Sequence, residues 1–177
     1  TSIGDYAFQY CSSLTDVYYT GDINGWVSIS FGNGTANPLY YGANLYINGN
    51  ELVTEANIDT ATSIGNFAFY SYDKLTSVTI GDQVTSIGDY AFYGCYSLAY
   101  IVNKSSLEFN VGDYSTSSSG ELLEIVSDES EVVFVDIDGN RYKDYNGERY
   151  FIKNQDGSSE IEIGSSCTQK YQYAFYN

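Results

Sequence analysis

The sequence predicts a mainly β protein: a right-handed solenoid of short strands and single helical turns, with a small antiparallel β-meander as an insertion. A fourteen-residue phrase occurs three times, in one case as TSIGDYAFYGCYSL from Thr85 to Leu98. Ala68 and Ala91 occupy the same place in two copies of this phrase, and they lie 23 residues apart. A fixed period in the twenties is typical of solenoids, in which no unit can bury its apolar face alone. After residue 103 the period ends, and Asp-Gly and Asn-Gly pairs favour tight hairpin turns.

One repeat, residues 75–98, shows how a coil is built. Val78 and Ile80 share one face of a short strand, because side chains alternate along a strand. After a turn and a second short apolar segment, Asp89 is placed to cap one helical turn that directs Phe92 inward. The apolar spacing fits neither one long helix nor one long strand, so the chain is predicted to wind around a coil.

This pattern resembles the BspA-like leucine-rich repeat, whose consensus runs L-x-x-V-x-I-x-x-x-V-x-x-I-G-x-x-A-F-x-x-C-x-x-L. The resemblance implies a leucine-rich-repeat solenoid from a bacterial cell-surface or secreted protein, with a role in adhesion. Tyr72 departs from the pattern, because it stands where the other copies have Cys. Full copies occupy Val53–Tyr72 and Leu75–Cys95, a partial copy occupies Thr1–Tyr18, and Tyr173–Asn177 begins another.

Three segments are expected. The solenoid covers residues 1–103. Residues 20–50 form a longer, irregular coil within it, which we call the decorated coil and which holds the only Trp and the only Pro. A β-meander insertion follows at 104–165. Residues 166–177 are expected to start a further repeat, in a fragment of a larger protein.

Local signals support the elements of the irregular segments. In the decorated coil, Asp22 is predicted to cap a short helix, and Asn48-Gly49 to form a hairpin turn. In the meander, the tight-turn pairs separate four segments with strand-like composition. The predicted strands are Glu131–Val135, Asn140–Tyr145, Glu148–Lys153 and Glu160–Ile163.

Composition limits the partners. The chain has 23 Asp and Glu against 7 Lys and Arg, a formal net charge of -16, which repels nucleic acid and anionic lipid surfaces. Its 43% hydrophobic and 17% aromatic content argues against disorder. No apolar run reaches the roughly 18 residues of a membrane span. We expect a monomer with no nucleic-acid partner and no membrane insertion, and the tyrosine-rich, acidic composition favours an extracellular or cell-surface location.

Few features of the sequence indicate a catalytic or a metal-binding function. With no His, a Ser-His-Asp or Cys-His arrangement has no base. The acids offer many carboxylate pairs for glycoside hydrolysis, but nothing singles out two of them. Asp136, Asp138 and Asn140 match the start of a calcium loop, whereas Gly139 does not fit its glycine position, so a hairpin turn is favoured and a loose cation site stays open. No catalytic residue, cofactor or metal ligand is predicted.

The three cysteines predict no pairing. Cys11 and Cys95 occupy equivalent places at least two coils apart, and at about 4.8 Å per stacked strand their Cα atoms are expected about 10 Å apart. A disulfide needs less than about 7 Å. Both are therefore predicted to be buried free thiols, and Cys167 has no partner.

The candidate partner-binding residues lie on the repeat strands, on either side of the central apolar residue. Side chains at these positions point away from the core, and parallel stacking would align them into an exposed ribbon. The alternative is that they only keep the sheet soluble. The ribbon consists of Asp16, Tyr18, Glu55, Asn57, Ser77, Thr79, Tyr100 and Val102.

Three functional hypotheses follow. The first is a non-enzymatic interaction or adhesion module that binds an extracellular or host protein. The second is a carbohydrate-binding module that uses exposed Tyr or Trp rings, with Trp26 as the candidate platform, although a core position in its own coil is the favoured interpretation of Trp26. The third is a passive scaffold or stalk.

Overall fold

In the computed structural model, the described residues are 1–119, 123–132, 134–137, 140–145, 148–154 and 169–170. The chain divides into two compact units, Thr1–Ser127 and Asp128–Asn177. Among the described residues, no helix has the length and apolarity needed to cross a membrane.

The first unit is made of short strands with little helix. Its described residues form one α-helix, α1 (Ile23–Val27), and 3-10 helices at Gly34–Ala36 and Pro38–Tyr41. Its strands are β1 (Ser2–Ile3), β2 (Asp16–Tyr18), β3 (Ser30–Phe31), β4 (Asn44–Ile47), β5 (Glu51–Leu52), β6 (Glu55–Ile58), β7 (Ser63–Ile64), β8 (Ser77–Ile80), β9 (Ser86–Ile87), β10 (Tyr100–Asn103) and β11 (Glu124–Val126).

Successive coils pair their strands in parallel, which is the hydrogen-bonding pattern of a solenoid. On one side β6, β8, β10 and β11 form a parallel sheet, and β2 pairs in parallel with β4. On a second side β1 pairs with β3 and β7 with β9. The prediction of a mainly β leucine-rich-repeat solenoid is confirmed.

The third side of each coil is a run of tight turns. The Phe67, Phe69 and Ser71 amides donate to carbonyl groups of the next coil at 3.0, 2.7 and 2.7 Å. The prediction of a helical turn capped by Asp89 is wrong. Tyr90 has a left-handed backbone with φ 58, and it lies between tight turns with i→i+3 hydrogen bonds. Because this conformation interrupts helical hydrogen bonding, alternate amides are released to bond the neighbouring coil.

The repeated glycine has a steric reason. A Cβ built on Gly65 would overlap the Ile29 carbonyl, and one on Gly88 would overlap the Asn66 backbone. The coils approach each other too closely here for any side chain. This contact explains the Gly after Ser-Ile in these two copies, whereas a Cβ on Gly4 in the first copy would meet no atom within 4 Å.

Equivalent apolar residues fill the core. Phe69 and Phe92 are fully buried and stack with ring centroids 5.9 Å apart and planes at 14°. Burial of each ring is worth about 1.5–3 kcal/mol. Phe8 occupies the corresponding place in residues 1–18 but is only half-buried, because the described chain covers it on one side, where its amide bonds the Thr35 carbonyl at 3.1 Å.

Tyr72, which replaces the consensus Cys, is used in the core. Its hydroxyl donates to the Val53 carbonyl at 2.7 Å and accepts from the Leu45 amide at 3.2 Å. Burial raises its pKa, so the hydroxyl stays protonated. At the equivalent position Cys95 donates from Sγ to the Phe69 carbonyl at 3.0 Å, and burial raises the pKa of this thiol as well.

The decorated coil has the predicted local features. Asp22 caps α1 by accepting from the Gly25 amide at 2.8 Å. Asn48 and Gly49 both have positive φ, 48 and 95, and lie in the hairpin loop between the antiparallel strands β4 and β5. Pairing of Ile47 with Glu51 leaves three residues in this loop, one more than a two-residue turn.

The solenoid continues beyond the predicted boundary at residue 103. β11 pairs in parallel with β10, and the Tyr90 and Phe92 amides donate to the carbonyls of Tyr114 and Ser115 at 3.0 and 2.8 Å. The sequence pattern does not show this coil, because Ser115 and Thr116 stand where the repeat has Ala and Phe. The compact unit therefore extends to Ser127.

The second unit contains antiparallel hairpins, but its first strand begins at Phe134, because Glu131 ends a 3-10 helix and does not start the predicted strand Glu131–Val135. β12 (Phe134–Ile137), β13 (Asn140–Tyr145) and β14 (Glu148–Asn154) pair antiparallel, β15 (Gln169–Lys170) joins β14 in parallel, and a 3-10 helix spans Glu129–Glu131. Pairing of Ile137 with Asn140 leaves two residues between the strands, as the hairpin interpretation of this loop requires. Asp138, Gly139, the predicted strand Glu160–Ile163 and the repeat start at Tyr173–Asn177 lie outside the described residues.

Candidate interaction surfaces

The predicted ribbon is exposed at one end and covered at the other. Tyr18 is 62% exposed, Glu55 and Asn57 are exposed, and Asp16 and Thr79 are partly exposed. The prediction is wrong for Ser77, Tyr100 and Val102, which are buried at 7%, 9% and 2% exposure. These three lie on β8 and β10, which have a paired strand on both sides, whereas β6 is an edge strand of that sheet.

At the exposed end, β2 and β4 place equivalent side chains side by side. Asn44 donates to Asp16 Oδ1 at 2.9 Å, and the Tyr18 and Tyr46 rings stack at 4.9 Å and 12°. The hydrogen bond from Asn44, followed by that from Thr15, lowers the Asp16 pKa and keeps this carboxylate charged. We call Asp16, Tyr18, Asn44, Tyr46, Glu55 and Asn57 the sheet patch.

The repeat pattern of the sequence does not predict two residues of the sheet patch. Asn44 and Tyr46 occupy the same places on β4 as Asp16 and Tyr18 on β2. Alignment of Leu45 with Val17 would have revealed them, but the decorated coil breaks the period that makes such an alignment visible.

Trp26 is not a glycan platform. Its side chain is 3% exposed, and its Nε1–H donates to the Ala68 carbonyl at 3.0 Å. The ring packs against Tyr19 and Phe31. The glycan-platform candidate is wrong and the core interpretation of Trp26 is confirmed, because the ring fills the interior of the decorated coil.

The turn side of the solenoid carries two rows of aromatic rings. Tyr70 stacks on Tyr40 at 5.8 Å and 17° and on Tyr93 at 4.9 Å and 8°. We call these three residues the tyrosine column. The second row is Phe67, Tyr90 and Tyr114, with Phe67 and Tyr90 stacked at 5.3 Å and Tyr90 and Tyr114 edge to face at 5.8 Å.

Tyr70, the central residue of the tyrosine column, is neutral at ordinary pH. Burial, followed by the neighbouring phenols of Tyr93, Tyr40, Tyr90 and Tyr96, raises the Tyr70 pKa. Its hydroxyl therefore stays protonated and can donate and accept hydrogen bonds. The sequence signal was the aromatic residue on each side of Ala-Phe in the phrases FAFY and YAFY.

A pocket of about 280 Å³ lies beside the second row. Leu107 and Phe109 are half-buried in its wall, and Tyr114 is 71% exposed. The remaining lining residues are Ile87, Gly88, Asp89, Glu108, Asp113 and Ser115.

The other predicted chemistry is located as follows. Cys11 and Cys95 are free, as expected, but Cys11 is exposed, whereas burial was predicted for both, because it lies in the coil that is covered on one side only. Cys167 lies outside the described residues. Within the described ranges, no group of three or more His, Cys, Asp or Glu side chains is placed to hold a metal ion.

Parallel coils with columns of equivalent side chains on their surface define a β-solenoid repeat protein whose exposed groups are suited to binding. A family model for the BspA type leucine rich repeat region matches residues 1–50 and 42–136 with six copies, and the chain belongs to this family. Leucine-rich repeats generally mediate protein binding and are generally non-enzymatic, and BspA-type proteins are typically surface or secreted bacterial proteins. No curated protein and no solved structure matches the chain.

Proposed function

We propose that the chain is an adhesion module of a secreted or cell-surface bacterial protein, and that it binds an extracellular protein partner through the sheet patch. The observation that carries the proposal is the pairing of Asp16 with Asn44 and of Tyr18 with Tyr46 in adjacent coils. Both pairs are fixed by the parallel register of β2 and β4. A surface held rigid before binding loses little side-chain entropy when a partner docks.

The chemistry of the sheet patch suits a protein partner. Tyrosine is enriched among the residues that dominate interface energies, because it combines a large apolar ring with a hydroxyl. Glu55 and Asn57, the exposed residues of β6, add polar groups to the sheet patch. An aromatic centre with a polar rim is the usual composition of a protein interface.

The test is capture of the chain by immobilised extracellular matrix and cell-surface proteins, measured by surface plasmon resonance. Tyr18→Ser is expected to weaken any binding by about tenfold, the effect of losing one interface tyrosine. Tyr10→Ser is the matched control, because Tyr10 is 83% exposed and lies outside the sheet patch. Equal losses in both variants, or binding that survives Tyr18→Ser, would contradict the proposal.

A carbohydrate-binding function is the second candidate. Tyr18 is 62% exposed and stacks on Tyr46, which leaves its other ring face available to a sugar. Binding on a glycan array that is abolished by Tyr18→Ser would favour it. If neither proteins nor glycans bind, the scaffold hypothesis is the remaining one.

A further inference from the structure

The pocket beside the second aromatic row combines an apolar wall, an open ring and negative charge. Leu107 and Phe109 pack against the core of the first unit and present partly exposed apolar surface to the pocket. Tyr114 is held edge to face against Tyr90 and is 71% exposed. Asp89, Glu108 and Asp113 line the same pocket and are all exposed.

The size of the pocket limits what it can accept. Its volume of about 280 Å³ lies just below the range of about 300–1,000 Å³ in which small-molecule sites fall. It is large enough for one long side chain. Oligosaccharides and cofactors would extend well beyond it.

The charge of the pocket selects the sign of the occupant. Three carboxylates line it, and none of the described lining residues is a Lys or Arg. The chain as a whole carries a formal charge of -16, which adds a long-range attraction for cations. These carboxylates do not form a cluster that could hold a metal ion within the described residues, so an organic cation fits them better.

Lysine and arginine side chains match all of these features. Their aliphatic stems cover apolar surface while the charged head stays near water and carboxylates. Leu107 and Phe109 can receive the stem, and Asp89 and Glu108 the head. The open face of Tyr114 can add a cation–π contact, which is favourable within about 6 Å of the ring centroid.

We propose that this pocket binds one lysine or arginine side chain from an extended, basic segment of a protein partner. The proposal rests on the protein-binding function above and names the chemistry of the partner at a second surface. The remainder of the segment passes over the second aromatic row toward the tyrosine column, where phenol hydroxyls can bond peptide groups.

The probe is a fluorescent Gly/Ser peptide that carries arginines, and the comparison peptide has glutamine at the same positions. Fluorescence anisotropy with the full chain is expected to show binding of the arginine peptide and none of the glutamine peptide. Binding should weaken at high ionic strength, because exposed charges are screened beyond about 8 Å at physiological salt. Equal binding of both peptides would overturn the proposal.

The double variant Asp89→Asn/Glu108→Gln removes two pocket charges and is expected to weaken arginine-peptide binding about fivefold. Its matched control is Glu51→Gln/Asp82→Asn, which removes two exposed acids outside the pocket and should change binding by less than about twofold. Tyr114→Ser is expected to weaken binding about two- to threefold through the lost cation–π contact. Equal losses in the two double variants would show diffuse attraction by the net charge and overturn the pocket site.

The pocket assignment and the proposed function of the sheet patch can be contradicted separately. If the arginine peptide binds but no extracellular protein captures the chain, the proposed function fails and the pocket assignment stands. If proteins capture the chain through Tyr18 while the peptide does not bind, the pocket assignment fails and the proposed function stands.

Discussion

The coil of residues 81–103 and the coil of residues 104–126 each bond the preceding coil through a parallel strand and through turn carbonyls, but they have different interiors. In the former, Ala91 and Phe92 are apolar and fully buried. In the latter, Ser115 and Thr116 are buried in the corresponding places, and Thr116 Oγ1 donates to the Asn110 carbonyl at 2.8 Å and accepts from the Gly112 amide at 3.0 Å. The coil-to-coil ladder therefore does not require an apolar phrase, provided that polar residues satisfy their own hydrogen bonds.

This comparison predicts its largest effect at the apolar position. Phe92→Ala removes the ring that stacks on Phe69 and leaves a cavity in the core. It is expected to destabilise the first unit by about 3–5 kcal/mol, measured by urea denaturation. Thr116→Ala should destabilise by only about 1–2 kcal/mol, because it removes hydrogen bonds but little volume. Similar losses for the two variants would contradict the distinction between the coils.

A smaller effect is expected where the regular coils meet the decorated coil. Tyr72→Phe keeps the buried ring but leaves the Val53 carbonyl and the Leu45 amide without their hydroxyl partner. Unsatisfied buried groups cost about 1–3 kcal/mol, so the thermal midpoint should fall. Tyr93→Phe is the control, because its partly exposed ring retains the stack on Tyr70. An unchanged midpoint for Tyr72→Phe would show that the hydroxyl bridge is dispensable.

The smallest effect concerns a partly buried carboxylate. Burial raises the Asp73 pKa, and its Oδ1 is buried with no hydrogen-bond partner among the described residues. Since the folded pKa is above the unfolded one, near 3.9, the protonated form favours folding at low pH. This contribution is lost as the pH rises through the folded pKa.

Asp73→Asn should therefore stabilise the chain at neutral pH by less than about 1 kcal/mol, since solvent screens this half-buried group. The gain should disappear in acid. Thermal midpoints across the acidic range measure it, with the exposed Asp82→Asn as control. A gain that does not depend on pH would contradict the assignment to burial of charge.

The repeated phrase predicts the interior better than the surface. The places of Phe69 and Phe92 follow from periodicity alone, because an apolar residue at a fixed interval must be sheltered by its neighbours. Ser77 and Tyr100 are buried although their strand positions point outward, since a strand pattern does not show which part of a face becomes covered. For Trp26, which has no equivalent in the other copies, the repeat period does not decide between a core position and an exposed ring.

The sequence pattern predicts neither the coil of residues 104–126 nor the two aromatic rows, and the reason is the same for both. Sequence comparison between repeats looks for the residues that stay the same, namely Ala and Phe in the phrase. Ser115 and Thr116 break that identity while the backbone ladder continues. Tyr70 and Tyr93 lie just outside the buried pair, where their stacking depends on the spacing between coils and is visible only in three dimensions.

The central claim is that coils stack in register through residue 126, and amide hydrogen exchange of the full chain by NMR tests it most directly. The Phe67, Phe69 and Ser71 amides bond the coil of residues 81–103, and the Tyr90, Phe92 and Gly94 amides bond the coil after it. The account predicts slow exchange for both sets. Protection of the first set together with fast exchange of the second would place the end of the solenoid at residue 103 and contradict the account.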